Sequence, residues 1–505
     1  MGGAGWAGSW ACADAGGAVP RVWDMPKRPI VAPQATPGSP EQRGPLEQSF
    51  QALREELGLS ETYPPEAVAD AERAIAELAL PERDETAVPF FTIDPPSARD
   101  LDQAMFLERA GQGYRVRYAI ADVPAFVTPG GPLDAETRRR GQTMYFPDMR
   151  IPLHPAVLSE EAGSLLPGQV RPAYVWDFEL DAQGEVASAT VYRAQVRSTE
   201  RFDYEQVQAE VDGGSPRESF ALLKEIGEKR IALERARGGA SLPMPEQEVT
   251  LVDGSYRMHL RPPVASEDWN AQISLMTGMA AADLMLQAKV GILRTMPPAD
   301  EQAIARFRRQ AKALGVPWEE GVPYGEFLRT LERTDGQHLA LIYAATSLFR
   351  GAGYTPFDGS TPEQVEQAAV AAAYAHVTAP LRRLVDRFGL VICESVANGR
   401  EVPGWVREAL PTLPELMKAS DTIAGKVERG SADAVEAAIL SDKVGQTFAA
   451  VVVEQRDKGK LQVQLVDLPV VATCQGQAEL GSTVQVTVVA ADIAARTVTF
   501  ELAKG

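Results

Sequence analysis

The spacing of apolar residues changes twice along this chain, and these changes limit the folds open to it. Residues 88 to about 195 alternate apolar segments, such as YRVRYAIADV and AYVWDFEL, with Pro/Gly turns, which is typical of a sheet with loops. ESFALLKEIGEKRIALERARG, DEQAIARFRRQAKALG and PEQVEQAAVAAAYAHV then follow a 3.6-residue period, which predicts helices. From Val444 to Ala503 about five short strands indicate a small OB-type barrel. The pattern predicts an α+β fold.

Two further segments precede the first strands. Residues 1–44 are rich in Gly, Ala and Pro and are predicted to be a mobile tail, in which Met25 is an alternative translation start. Residues 45–87 contain two helical patterns, LEQSFQALREEL and EAVADAERAIAELAL, which predict a small helical module. This module is either a helix-turn-helix that touches nucleic acid or a packing element, and its acidic faces favour packing. The remaining domains are predicted over 88–440 and 444–505.

The overall charge restricts how the chain meets other molecules. Asp and Glu total 69 against 50 Lys and Arg, a net charge of −19, so a polyanion is repelled unless it meets a local basic channel. The candidates for such a channel are Arg138, Arg139, Arg140, Arg150 and Arg171. The three cysteines form no C-x-x-C pair, which favours a reducing compartment and predicts a cytoplasmic protein.

Several classes of protein are not indicated. The longest apolar stretch, Ile273 to Leu293, is broken by Asp283 and Lys289, so we expect a buried helix and no membrane partner. No GxxxxGK[ST] phosphate loop is present, and no nucleotide cofactor is expected. His154 and His376 belong to no zinc or triad pattern and are predicted to be structural. We expect a monomer.

The segment FFTIDPPSARDLDQAMFLE carries the most chemical information. Asp94, Asp100 and Asp102 lie within nine residues at the end of an apolar strand. A Pro-containing loop that folds back can bring the three carboxylates onto one hard cation such as Mg²⁺, which prefers oxygen ligands. Such a site suits phosphodiester hydrolysis. Taken alone, the pattern is more often that of a solvated acidic loop.

The neighbouring blocks identify a family. TIDPPSARDLDQA resembles the signature of the ribonuclease II family, and YAIADVPAFV, RRRGQTMYFPDMRIPLHPAVLSEEAGSLLPGQVRPA and AYAHVTAPLRRLVDRFG resemble later family blocks, in order, over roughly residues 85–400. The resemblance implies an RNB catalytic domain over 88–440 and an OB-fold RNA-binding domain over 444–505. It also implies a processive, Mg²⁺-dependent 3′-to-5′ exoribonuclease that hydrolyses single-stranded RNA from its 3′ end to nucleoside 5′-monophosphates.

The resemblance also implies roles for individual acidic residues. Asp94, Asp100 and Asp102 match three of the family's four acidic positions around the metal, and Asp102 is expected to position the attacking water as well. The fourth position is Gln103 here. An amide is neutral and a weaker ligand than a carboxylate, so one metal is expected to be held less tightly or through water.

Basic and aromatic positions follow from the same blocks. Arg382 matches the family arginine at the scissile phosphate and is expected to stabilise charge in the transition state. Tyr145 matches a position at which a ring stacks on a base near the 3′ end. We expect Arg383, Arg150 and Arg171 to contact RNA as well.

Several departures from the family pattern leave other functions open. Ala379 and Leu384 replace a Ser and a Tyr, and Met276 and Thr277 replace an acidic pair that helps to read the ribose. The helical module stands where relatives carry two cold-shock barrels. One alternative is therefore a catalytically impaired RNA-binding protein of the same fold. Another is a metal-dependent phosphodiesterase acting on DNA or a small nucleotide.

Overall fold

The computed structural model describes residues 30–31, 44–242, 244–253, 255–261, 263–333, 335–456, 460–468 and 470–503. Most of the predicted mobile tail and the alternative start at Met25 lie outside these residues. The helices of the described chain are α1 (Pro45–Glu56), α2 (Pro65–Ala76), α3 (Pro132–Arg140), α4 (Tyr204–Asp212), α5 (Glu218–Arg237), α6 (Ala265–Ala288), α7 (Glu301–Ala313), α8 (Tyr324–Arg329), α9 (Gly336–Ala345), α10 (Leu384–Ala397), α11 (Gly404–Ala409) and α12 (Leu413–Leu440).

The strands alternate with these helices along the chain and form two closed barrels and several small sheets. They are β1 (Ile30–Val31), β2 (Phe90–Ile93), β3 (Gln103–Ala110), β4 (Gly113–Ala121), β5 (Met144–Tyr145), β6 (Arg150–Ile151), β7 (Val170–Leu180), β8 (Val186–Phe202), β9 (Glu246–Val252), β10 (Ser255–Arg261), β11 (Val290–Thr295), β12 (Gly353–Asp358), β13 (Glu366–Gln367), β14 (Ala372–Ala373), β15 (Thr447–Arg456), β16 (Lys460–Leu465), β17 (Val471–Gln475), β18 (Thr483–Asp492) and β19 (Thr497–Leu502).

The first barrel is built from β2, β3, β4, β7 and β8, in that order. Neighbouring strands pair antiparallel, and the short β2 closes the barrel by pairing parallel with the end of β8, where Ile93 lies opposite Phe202. Successive side chains of a strand point to opposite faces. Tyr174, Trp176 and Phe178 accordingly belong to one buried cluster, whereas Ala173 and Val175 belong to another. Both faces of this barrel are therefore covered.

The helix α6 packs against the barrel and explains the longest apolar stretch. The helix ends at Ala288, Lys289 adopts a left-handed conformation with φ of 55°, and β11 begins at Val290. The stretch Ile273 to Leu293 is therefore shared between a helix and a strand, rather than forming one helix as predicted. Within the described residues, no helix has both the length and the apolar character needed to span a membrane.

The predicted helix over PEQVEQAAVAAAYAHV does not form. This segment contains the short strands β13 and β14, and Ala371 between them has a positive φ of 52°. Its backbone bonds to neighbours instead: the Ala375 N–H donates to the Gly278 carbonyl at 3.0 Å, and the Arg294 N–H donates to the Tyr374 carbonyl at 2.8 Å. Tertiary hydrogen bonds and burial thus override the local helical propensity of the alanines.

The helices α1 and α2 lie apart on the central domain. α1 packs on α12 through a shared apolar cluster that includes Leu46, Phe50 and Leu53, and a Cβ atom on Gly430 of α12 would lie 2.7 Å from the Leu53 side chain. α2 instead packs on α3 and on the turn over 157–162. Each helix therefore buries its apolar face against a different element of the central domain.

The predicted C-terminal barrel is confirmed. All five predicted strands form, and they close in the order β15, β16, β17, β19, β18 around a core that includes Val463, Cys474 and Phe500. The barrel docks on the helical region: the Gln310 side chain of α7 donates to the Val453 carbonyl at 3.1 Å. The architecture is the predicted α+β fold with a terminal OB-type domain.

Candidate active site

The chain brings Asp94 to the site at the end of β2. Its N–H donates to the Phe202 carbonyl at 3.0 Å, which extends the parallel pairing of β2 and β8 by one residue. Its side chain is 8% exposed, and Oδ2 has no hydrogen-bond partner among the described residues. Burial raises the pKa of Asp94 to about 7; nearby Arg201 opposes this rise and Asp100 adds to it. Asp94 is thus a buried acid with one carboxyl oxygen that has no hydrogen-bond partner among the described residues.

Asp100 lies on the loop between β2 and β3 and is paired with an arginine. Arg150 Nη1 donates to Asp100 Oδ1 at 2.6 Å, and Arg150 Nη2 donates to Glu160 Oε1 at 2.9 Å. Burial raises the pKa of Asp100, and Arg150 partly offsets this effect. The predicted RNA-binding residue Arg150 is therefore shared between two carboxylates.

Asp102 directly precedes β3 and joins two distant parts of the chain. Its Oδ1 accepts the Leu381 N–H at 2.8 Å, and its Oδ2 lies 3.4 Å from Arg382 Nε. Burial raises the pKa of Asp102 well above its ordinary range; Arg382 opposes this rise and Asp100 adds to it. The structure thus places the predicted residues Asp102 and Arg382 in direct contact.

Gln103, the first residue of β3, turns its side chain toward the same segment. Its Nε2 donates to the Thr378 carbonyl. A carboxylate has no proton to donate at that position and would meet the carbonyl oxygen with like partial charge. The amide at this position therefore fits the backbone that faces it.

The segment 378–383 is held from both sides. Arg383 forms a forked pair with Asp386 at 2.8 and 2.9 Å, and Asp386 also accepts the Ala379 N–H at 2.7 Å. On the other side, His154 Nδ1 lies 3.0 Å from the Leu381 carbonyl, and burial lowers the pKa of His154 to about 3, so the ring is neutral. The Arg383 side chain therefore binds Asp386 in the first turn of α10.

Tyr145 and Arg171 differ in their surroundings. The Tyr145 hydroxyl is buried without a hydrogen-bond partner among the described residues, and its pKa is raised by burial, an effect that the charge of Asp100 increases and that of Arg382 reduces. Tyr145 therefore lies beside the acidic cluster. Arg171 instead donates to the backbone carbonyls of Ser164, Val170 and Glu161 at 3.1 to 3.2 Å. The structure does not bring Arg171 into contact with the aspartates.

The other candidate channel arginines are paired within their own helix. Arg138 contacts Asp134 at 3.0 Å, and Arg139 and Arg140 both contact Glu136, at 2.6 and 2.8 Å. Their charge is therefore largely balanced locally, which weakens the basic channel that the sequence predicts.

Sequence reasoning missed two charged residues around the aspartates. Arg201, near the end of β8, donates to the carbonyls of Pro95 and Pro96 at 2.8 and 2.7 Å and thereby holds the loop that follows Asp94. Glu160 competes with Asp100 for Arg150. Arg201 is placed near the loop because it pairs with Thr92 in the parallel ladder of β2 and β8. The two residues lie far apart in sequence, so no local pattern reveals this pairing. Met276 and Thr277, the residues at the family's acidic pair, are fully buried.

The donors present fit a hard cation of the kind the family implies. Among the described residues, no three acidic, histidine or cysteine side chains are arranged to enclose an ion by themselves. Mg²⁺ nevertheless usually binds through one or two carboxylates, with water and substrate phosphate completing its shell. The Asp94 Oδ2 has no hydrogen-bond partner among the described residues, and burial together with the charge of Asp100 raises the pKa of Asp94 and of Asp102. These acids therefore favour a proton or a bound cation over an isolated negative charge.

Comparison with known proteins identifies two family domains in this chain. Residues 82–392 match the RNB domain, and residues 446–503 match the RNase II-type exonuclease C-terminal S1 domain. Ribonuclease R of Escherichia coli (strain K12) is 28% identical over 398 residues, which are 72% of this chain and 48% of the relative. Ribonuclease R of Aquifex aeolicus is 25% identical over 419 residues, 78% of this chain and 58% of the relative. The chain spans about half the length of these curated relatives.

Solved structures share the fold at low sequence identity. The apo form of Mycoplasma genitalium RNase R has a TM-score of 0.79 and 17% identity, and the match covers 91% of this chain and 78% of that one. Yeast Ssd1, a pseudonuclease, has a TM-score of 0.67 and 16% identity, with coverage of 85% and 56%. The RNB match covers well over half of the 505 residues. The chain belongs to the RNB-domain family of ribonuclease II and ribonuclease R and carries that family's C-terminal S1 domain.

Proposed function

We propose that this chain is a metal-assisted exoribonuclease that degrades single-stranded RNA processively from its 3′ end and releases nucleoside 5′-monophosphates. The observation that carries the proposal is the contact of Asp102 with both Arg382 and the Leu381 N–H, beside the unpartnered carboxylate of Asp94. Three buried acids and one arginine within a single cluster suit the hydrolysis of a phosphodiester.

The residues divide the work by their geometry. Asp94, Asp100 and Asp102 would hold Mg²⁺, which when bound makes a water more acidic and neutralises charge on the phosphate. Asp102 is fixed at Oδ1 by the Leu381 N–H, and its Oδ2, which lies beside Arg382, would orient the attacking water. Arg382, 9% exposed, would place its positive charge on the phosphate oxygens, where charge grows in the transition state. Gln103 would bind the metal through its side-chain oxygen or through an intervening water.

Removal of metal is the first test of this function. We expect 5′-labelled single-stranded RNA to shorten from its 3′ end in Mg²⁺ and to stay intact in EDTA, when products are resolved on a denaturing gel over time. We also expect Mg²⁺ to raise the thermal midpoint, because an ion that binds only the folded chain stabilises it. A deoxyribose oligomer of equal sequence serves as the control. Equal degradation of both polymers would favour the general phosphodiesterase.

A catalytically impaired RNA-binding protein remains the second candidate. Two observations favour it: Gln103 occupies an acidic position of the family pattern, and the fold is shared with a protein described as a pseudonuclease. In the same experiment this candidate predicts RNA that remains intact in Mg²⁺ yet shifts on a native gel.

The Tyr145 ring supplies a separate prediction. Stacking of a base on an aromatic ring is worth about 1 to 3 kcal/mol, so Tyr145→Ala is expected to weaken binding of single-stranded RNA by about 5- to 150-fold. Tyr145→Phe is expected to bind within about twofold of the wild type, because the hydroxyl has no partner among the described residues. Fluorescence anisotropy with labelled RNA in EDTA measures both. Equal losses for the two variants would show that the hydroxyl, not the ring, contacts RNA.

We propose the cytoplasm as the location of this activity. The described cysteines, Cys393 and Cys474, are both free and buried, which suits a reducing compartment.

A further inference from the structure

The helix α1 is joined to the turn of a hairpin that borders the candidate active site. The 144–151 hairpin consists of β5, β6 and the turn between them, which is closed by the Phe146 N–H donating to the Met149 carbonyl at 2.8 Å. Arg54 of α1 donates from Nη1 to both carboxylate oxygens of Asp148 in that turn, at 2.9 and 3.1 Å. Both side chains are buried, with exposed fractions of 10% and 4%.

The contact is reinforced by packing around it. The Arg54 guanidinium lies 5.1 Å from the centre of the Phe146 ring, within the range of a cation–π interaction. Met144, Phe146 and Ile151 belong to the same apolar cluster as the buried face of α1. An ion pair taken out of water in this way has few alternative partners and therefore defines one position for the turn.

The segment between α1 and α2 holds the far end of the same region. The Tyr63 hydroxyl donates to the Pro152 carbonyl, and Arg140 donates to that carbonyl at 3.2 Å and to the Thr62 carbonyl at 3.0 Å. The Arg140 guanidinium also lies 3.8 Å from the centre of the Tyr63 ring. The chain over 54–63 therefore contacts the hairpin at its turn and directly after its second strand.

The hairpin carries two predicted RNA-binding residues, Tyr145 and Arg150. Arg150 on β6 donates to Asp100 at 2.6 Å, and Tyr145 on β5 pairs directly with Arg150 across the hairpin. Just before the hairpin, the Thr143 N–H donates to the Arg382 carbonyl at 2.9 Å. A shift of the turn would therefore move Tyr145 and Arg150 relative to the reacting phosphate.

We propose that Arg54 is a positioning residue of the active site: by holding Asp148, it sets the 144–151 hairpin and hence Tyr145 and Arg150. This inference rests on the proposed exoribonuclease function for its effect on rate, but not for its effect on the hairpin itself. It gives α1 a role beyond packing, because a charged side chain of this helix holds the turn of the hairpin.

The test compares Arg54→Met, Arg54→Lys and Asp148→Asn with the matched control Glu56→Gln, which removes the pair of α1 with Arg496 and touches no hairpin residue. Hydrogen exchange read by mass spectrometry reports on amides 142–152, and steady-state kinetics on labelled RNA give kcat and KM. We expect Arg54→Met and Asp148→Asn to speed exchange in 142–152 by about tenfold or more. We expect kcat to fall by about tenfold with a smaller rise in KM, because misplacement of groups at the reacting centre costs rate.

The remaining variants separate positioning from general stability. Arg54→Lys is expected to recover part of the lost rate, and Glu56→Gln to match the wild type in both measurements. The double variant Arg54→Met with Asp148→Asn should lose no more than either single variant, since contacting partners act as a unit. If Arg54→Met does not fold, Asp148→Asn carries the same comparison. Unchanged exchange over 142–152 in Asp148→Asn would overturn the proposal, as would additive losses; an inactive wild type would instead refute the proposed function.

Discussion

Replacing Asp102 with asparagine is expected to lower the rate of single-stranded RNA hydrolysis by at least about 10³-fold, equivalent to about 4 kcal/mol of transition-state stabilisation. Asparagine keeps an oxygen that accepts the Leu381 N–H, so the geometry of the segment is retained. It loses the charge that holds metal and orients water. Time courses with 5′-labelled RNA, at saturating Mg²⁺, measure the effect.

For the same variant we expect thermal stability to be kept or raised, although activity falls. Burial raises the pKa of Asp102 in the folded chain, so its charged form opposes folding at pH values above its unfolded pKa, and the folded chain gains stability as pH falls. Asp102→Asn should therefore melt at or above the wild-type temperature in EDTA at neutral pH. The control is Asp177→Asn, which removes a carboxylate paired with Arg115 at 2.6 Å. Full activity of Asp102→Asn would refute the assignment of this residue.

Replacing Arg382 with methionine is expected to lower kcat by about 10² to 10³-fold while KM changes by less than about threefold. A donor aimed at charge that develops in the transition state contributes to rate more than to ground-state binding. Arg382→Lys should recover only part of the loss, because a point charge cannot reproduce the planar fork of a guanidinium. Single-turnover kinetics separate the chemical step from binding.

The outcome for Arg382 is informative in either direction. Arg407→Met, which removes a half-exposed arginine paired with Asp358, controls for the general loss of one positive charge. A large rise in KM with unchanged kcat would show that Arg382 binds RNA without taking part in the chemical step.

Local patterns predicted the C-terminal barrel well but failed for one central segment. The strands over 444–503 are short apolar segments between turns, some of them alternating as in KLQVQL, and most pair with a neighbour in sequence, so local information suffices. The Ala-rich residues 362–377 carry a helical period, yet their backbone bonds to Gly278 and Arg294, which lie far away in sequence. No local pattern reveals such partners.

The candidate site likewise has features that the local sequence predicts and features that it does not. Asp94, Asp100 and Asp102 lie within nine residues, and one strand end with one loop brings them together, so their clustering could be predicted. Their partners could not be predicted. Arg201 reaches the loop through the parallel pairing of β8 with β2, and Leu381, which donates to Asp102, lies 279 residues further along the chain. The resemblance supplied Arg382 and Tyr145, whereas the role of Gln103 at the Thr378 carbonyl required the folded chain.

The contact of Asp102 with Leu381 spans 279 residues of sequence, which has a consequence for the making of the protein. At a synthesis rate of about 5 to 20 residues per second, roughly 15 to 55 s pass between the emergence of these two residues. During that interval the growing chain is surrounded by ribosomal and messenger RNA, yet it lacks both the amide that fixes Asp102 and the arginine beside it. Under the proposed function, a nascent chain would therefore not degrade the RNA around it until most of its length has been translated.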